Sequence, residues 1–129
     1  MHEAVAGGAW ITWDESGRVA TLRFTDPNAT GVDAAELVDA LEHWVGTAGG
    51  RFALLGDGAG LSAMDAEYRA VWAEFFGRHR AEATIGVFNL GPMAQVTARM
   101  FEQGTGVPVI GFSDEEQARQ WLKGFGIGR

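Results

Sequence analysis

Short apolar runs separated by single helical-period segments restrict this chain to a narrow set of folds. Phe52-Ala53-Leu54-Leu55 is wholly apolar and bounded by glycine beyond Arg51 and at Gly56, as a buried central strand requires. Thr84-Ile85-Gly86-Val87-Phe88 and Val107-Pro108-Val109-Ile110 follow as further strands. Strands joined through single helices pair in parallel with right-handed crossovers. Pro108 cannot donate to a ladder, so the last strand is expected at a sheet edge.

The intervening segments read as helices. Asp33 with Glu36 has capping-box spacing, and Leu37, Leu41, Trp44 and Val45 supply a buried face. A second helix is expected from Ser62 to His79, with Met64, Tyr68, Val71, Trp72, Phe75 and Phe76 on one broad side. Gly91-Pro92 opens a third, which carries Val96, Met100 and Phe101 inward and stops at Gly104. Ser113 is expected to cap the last, with Glu116 at the box position and Ala118, Trp121, Leu122 and Phe125 docking it. Ahead of these, Trp10–Trp13 and Val19–Phe24 flank the turn Asp14-Glu15-Ser16-Gly17 as an N-terminal hairpin. The order ββαβαβαβα predicts an α/β fold with a mixed, mostly parallel sheet of about five strands. One domain is expected over residues 10–125, between short tails at 1–9 and 126–129.

Composition narrows the function classes. The chain has no cysteine, which excludes disulfides, thiolate metal sites and thiol catalysis and fits a cytoplasmic location. No apolar run approaches the ~18–20 residues of a membrane span. The first eight residues lack the basic start and apolar stretch of a signal peptide. A net charge of −7 repels nucleic-acid backbones and anionic lipid but suits a basic protein partner.

Chemistry-bearing constellations are scarce. Ser16, Ser62 and Ser113 are the only serines and His2, His43 and His79 the only histidines, with no Gly-x-Ser-x-Gly elbow and no His-x-x-x-His pair. No catalytic residue, metal or cofactor is expected. Ser62 reads as a cap of the second helix, with a displaced phosphosite as its functional alternative. Gly56-Asp57-Gly58-Ala59-Gly60 joins a strand to a helix, but Leu61 stands where a P-loop needs lysine. Asp57 would repel a phosphate, so the loop reads as a tight turn or the rim of a binding surface.

Five tryptophans are many for 129 residues. Trp10 and Trp13 are three apart on one strand and face opposite sides of the sheet. An open sheet face would leave one of them for a dimer or partner contact, unless the N-terminal segment folds over it.

Leu61-Ser62-Ala63-Met64-Asp65-Ala66-Glu67, between an apolar strand and a helix, resembles the signature of STAS domains, the family of the anti-sigma-factor antagonists. Phe112-Ser113-Asp114-Glu115-Glu116-Gln117-Ala118-Arg119-Gln120-Trp121-Leu122 is similar to the ending of stand-alone SpoIIAA-like (STAS/SEC14-related) bacterial proteins. The resemblance extends over about Trp10 to Phe125. It implies a non-catalytic regulatory or scaffolding module that binds a protein partner, either a regulatory protein or a second copy. The partner-binding residues would be Asp57, Ser62, Asp65, Glu67 and Arg69. In the antagonists a serine two positions after the aspartate is phosphorylated to switch binding off. Here that position is Glu67, and Ala66 replaces the neighbouring hydroxyl. Glu67 is then either a fixed, phospho-like charge or an ordinary first-turn acid favoured by the helix dipole. The lipid-binding relatives imply the alternative of a small apolar ligand or lipid carrier.

Overall fold

A computed structural model describes residues 2–25, 28–59, 63–64, 66–89, 99, 102–103, 106–124 and 127. Six strands form one mixed sheet: β1 (His2–Ala6), β2 (Ala9–Asp14), β3 (Val19–Phe24), β5 (Phe52–Asp57), β7 (Ala83–Phe88) and β8 (Val109–Phe112), in that spatial order. The first three are antiparallel neighbours, and β3, β5, β7 and β8 run parallel. Two short strands, β4 (Asn28–Ala29) and β6 (Ala63–Met64), pair in parallel apart from this sheet. The helices described over their full length are α1 (Gly31–Ala48), α2 (Ala66–Arg78) and α3 (Glu115–Lys123). The α/β fold with its N-terminal hairpin is as expected, and β8 lies at an edge, but it runs over Val109–Phe112 and not Val107–Ile110, so Pro108 precedes the strand and stays out of its ladder.

The sheet has one strand more than the five expected. His2–Ala6 is not a tail but an edge strand joined to β2 through the two-residue turn Gly7-Gly8. Its inward residues are the small Ala4 and Ala6, so it carries little of the apolar alternation by which strands are read. Gly7 takes φ +58°, the left-handed region that such a turn needs. A Cβ there would also collide with the Asp33 carboxylate.

The helix starts differ as well. Thr30, not Asp33, caps α1 and accepts the Asp33 N–H, while Asp33 sits in the first turn. Asp114, not Ser113, caps α3 and accepts the Gln117 N–H at 2.9 Å. The Ser113 N–H instead donates to the Gln117 side chain at 3.2 Å. Adjacent capping residues cannot be ranked by type alone, because the helix phase decides which one is extended. Helix α2 starts at Ala66 and not at Ser62, since Ala63–Met64 is taken up by pairing with Asn28–Ala29. The third expected helix, Gly91 to Gly104, lies for the most part outside the described residues.

Helices α1 and α2 cover one face of the sheet and α3 the other. Beneath α1 and α2, Phe52, Tyr68, Trp72, Phe75 and Phe76 are each no more than 1% exposed. Their rings meet edge to face or tilted, as in Phe52–Phe75 at 6.0 Å, or stacked, as in Trp72–Phe76 at 5.7 Å. Arg78 and His79 at the end of α2 both reach Glu42 of α1 and join the two helices at their rims. The smaller core under α3 holds Val19, Ala53, Leu55, Phe88, Ala118, Leu122 and Ile127.

Candidate functional site

In an α/β sheet the carboxyl ends of parallel strands and the starts of the following helices gather at one end. Here that end collects Asp57 at the close of β5, Glu67 and Arg69 in the first turns of α2, and the starts of α1 and α3. Ser62 and Asp65 lie outside the described residues.

Glu67 is exposed, and its side chain runs across Gly31, the first residue of α1. A Cβ on Gly31 would overlap the Glu67 Cβ, Cγ and Cδ, so α1 starts with glycine where α2 lays its first-turn acid. The β4–β6 pair immediately precedes both helices and sets their starts side by side. One carboxylate therefore faces the positive ends of two helix dipoles. Arg69 is exposed two residues further along α2. Beside this pair, Tyr68 is buried, and burial together with the negative charge of Asp33 pushes its hydroxyl well above the ordinary tyrosine range. It is a neutral group.

Asp57 belongs to a second cluster on the α3 face. Its Oδ2 accepts from Arg23 at 2.8 Å, and its Oδ1 accepts from the Ala59 N–H at 2.9 Å and from Asn89 Nδ2 at 3.1 Å. Arg23 also donates to Glu115 at 2.9 Å, and Glu115 receives Arg119 Nε at 2.8 Å. Arg119 reaches on to the buried Thr21 hydroxyl at 3.3 Å. The chain Asp57–Arg23–Glu115–Arg119–Thr21 ties β5, β3 and α3 together. Burial alone would raise the Glu115 carboxyl, but the bonds from Arg23 and Arg119 outweigh it and hold the group below the usual carboxylate range. Burial would lower Arg23, but its bonds to Glu115 and Asp57 outweigh that and raise it.

The expected partner-binding set is thus divided. Asp57 lies on the α3 face with both oxygens engaged inside the molecule, whereas Glu67 and Arg69 lie on α2 and face outward. Trp10 and Trp13 do point to opposite faces. Trp13 is 1% exposed in the core, which removes it from any surface contact. Trp10 is half-buried on the other face, and the N-terminal segment lies beside it as β1 instead of folding over it.

Sequence reasoning missed Arg23, Glu115 and Arg119 as one group. Arg23 is 34 residues from Asp57 and 92 from Glu115, and no local spacing signals that meeting. A half-open cleft of about 440 Å³ at the opposite end was also without a signal. Its walls include Arg18, His43, Trp44 and His2, the last stacked on Trp44 at 5.8 Å and paired with Glu15. Among the described residues no group of three or more histidines and acids is placed to hold a metal ion. None of the described helices is long and apolar enough to cross a membrane.

A scan against protein-family models gave no match, and searches of curated proteins and of solved structures gave none either. The fold class is therefore established by the strands and helices themselves. A family is not.

Proposed function

We propose that this chain is a non-catalytic regulatory or scaffolding module of the STAS-like kind, cytoplasmic and without a cofactor, which binds a protein partner at the end bearing Glu67. The observation that supports this reading is the position of Glu67. It is an exposed acid held across Gly31 where two helix starts meet, at the place the resemblance assigns to the switch serine. A carboxylate fixed there presents constant negative charge, and a kinase has no hydroxyl to modify at that position. Arg69, two residues further on, projects from the other flank of α2 and does not share this surface.

The carrier alternative finds no support in the packing. The space beneath α1 and α2 is occupied by Phe52, Tyr68, Trp72, Phe75 and Phe76, whose rings touch one another. A ligand chamber there would require these rings to part.

The test is affinity capture with the intact chain, quantified by mass spectrometry, comparing wild type with Glu67→Lys and Glu36→Lys. Glu36 is an equally exposed acid on the outer side of α1. Proteins enriched by wild type and by Glu36→Lys but lost with Glu67→Lys are the expected result. An identical set with all three baits would remove Glu67 from the binding surface.

A further inference from the structure

The cleft at the far end of α1 is built from several elements. The turn between β2 and β3 contributes Glu15 and Arg18, the last turns of α1 contribute His43 and Trp44, and His2 of β1 and Trp13 of β2 join them. At about 440 Å³ and half open, it has the size of a small-molecule site. Its two histidines and one acid are not placed to hold a metal ion.

Arg18 is the unusual member. Its backbone takes φ +55°, the left-handed region in which Cβ crowds the following carbonyl and which bulky side chains rarely occupy. Gly17, which could take that conformation freely, stands one residue earlier without a positive φ. The surroundings hold the turn in this state. Asp14 Oδ1 accepts from the Ser16 and Gly17 N–H groups at 3.1 and 3.3 Å, and the Arg18 carbonyl accepts from the Ala53 N–H at 3.0 Å. Backbone strain fixed by its neighbours in this way gathers at binding sites. Here it sets a half-buried guanidinium on the cleft wall, where it forms no ion pair with any described residue. Gly50, just past the end of α1, leaves it room, since a Cβ there would stand 3.1 Å from Nη1.

The same cleft offers flat apolar surface. Trp44 is half-buried and already stacks the His2 imidazole at 5.8 Å with an interplanar angle of 18°, so its face accepts a planar ring. Glu15 is the only acid among the described residues that line the cleft. It is paired with His2 and its side chain is 61% exposed, so water and salt screen it more than they screen the half-buried Arg18.

We propose that this cleft binds a small planar carboxylate, with an aromatic ring against Trp44 and the carboxylate on Arg18. A guanidinium takes a carboxylate through two parallel N–H···O bonds, which fixes the orientation of the ring as well as holding the charge. The site is separate from the Glu67 surface, because the 18 residues of α1 set its two ends about 27 Å apart.

Cinnamate is the probe, titrated into the intact chain and followed by the backbone and indole N–H signals in NMR. Saturable shifts at the Trp44 indole and the Arg18 amide are expected, with a Kd on the order of 1 mM or tighter. Cinnamamide, planar but uncharged, and acetate, charged but without a ring, should each bind about tenfold more weakly or worse. Arg18→Gly should lower the cinnamate affinity by about tenfold or more and, by relieving the left-handed strain, raise the urea midpoint of unfolding. Glu67→Lys should leave cinnamate binding unchanged. No saturable shift up to about 20 mM cinnamate would overturn the proposal. So would equal affinity for cinnamamide, or an Arg18→Gly chain that binds cinnamate as tightly as wild type.

Discussion

The side chain of Glu67 lies directly over the α-carbon of Gly31, so that the first turns of α2 and α1 touch with no room for a methyl group between them. The atoms in the way include the Glu67 Cβ, which cannot swing aside as a terminal carboxylate can. Gly31→Ala should therefore destabilise the fold by about 1–3 kcal/mol through overpacking. Glu67→Ala should recover part of that loss when combined with it. Urea unfolding of the two single variants and the double variant checks this, and strict additivity would show that the two residues do not meet.

Acid should weaken the fold through Glu115 and Glu42. Both carboxyls are held below their usual value of 4.5, in each case by hydrogen bonds that outweigh burial. For Glu42 the donors are Arg78 and His79. A carboxylate whose folded pKa is depressed contributes stability that is present above its unfolded pKa and lost as pH falls through the folded one. Stability should therefore be level through neutral pH and decline below about pH 4.5. Glu115→Gln should reduce the slope of that decline, measured by urea unfolding between pH 3 and 7. An unchanged slope would show that the Arg23 and Arg119 contacts do not persist in solution.

Phe75→Ala should cost about 3–5 kcal/mol. Phe75 is fully buried and meets Trp72, Phe76 and Phe52 edge to face, with the His79 ring tilted against it at 4.6 Å. Loss of the ring opens a cavity between the sheet and α2 that its rigid neighbours cannot close. Guanidinium unfolding measures it, and a loss under 1 kcal/mol would mean that this layer is loosely packed.

The two helix caps should differ in strength. Asp114 accepts its N–H at 2.9 Å and carries a charge, whereas Thr30 accepts at 3.4 Å through a neutral hydroxyl. Asp114→Ala should cost about 1–2 kcal/mol and Thr30→Ala less. Parallel thermal melts check the order, and equal losses would mean that cap geometry does not control these helix starts.

Much of this fold was written in local patterns. The parallel strands Phe52–Asp57 and Ala83–Phe88 are runs that only a buried sheet tolerates, whereas the edge strand begins after Pro108 and not around it. β1 escaped notice because two alanines carry its buried side, and alanine occurs as readily in a helix or a loop. The caps were displaced by one to three residues because Thr30, Asp33, Ser113 and Asp114 all have the chemistry of a cap. Only the backbone conformation selects among them. For the site, the place of Glu67 in the first turn of α2 was legible from sequence, but its contact with Gly31 was not. That contact depends on how two helices are set side by side by four residues of strand. The Asp57–Arg23–Glu115–Arg119 chain was hidden for a related reason. Each member is an ordinary surface charge until the sheet and α3 bring them together.

The placement of the tryptophans gives the molecule its own optical labels. Trp13 and Trp72 are buried, and Trp10, Trp44 and Trp121 are half-buried in three different surroundings. Trp10 stands on the sheet face away from α1 and α2, Trp44 beneath the imidazole of His2, and Trp121 of α3 against Phe112. Variants that keep one tryptophan each would let intrinsic emission report on β2, the end of α1 and α3 docking as separate signals, with no attached dye.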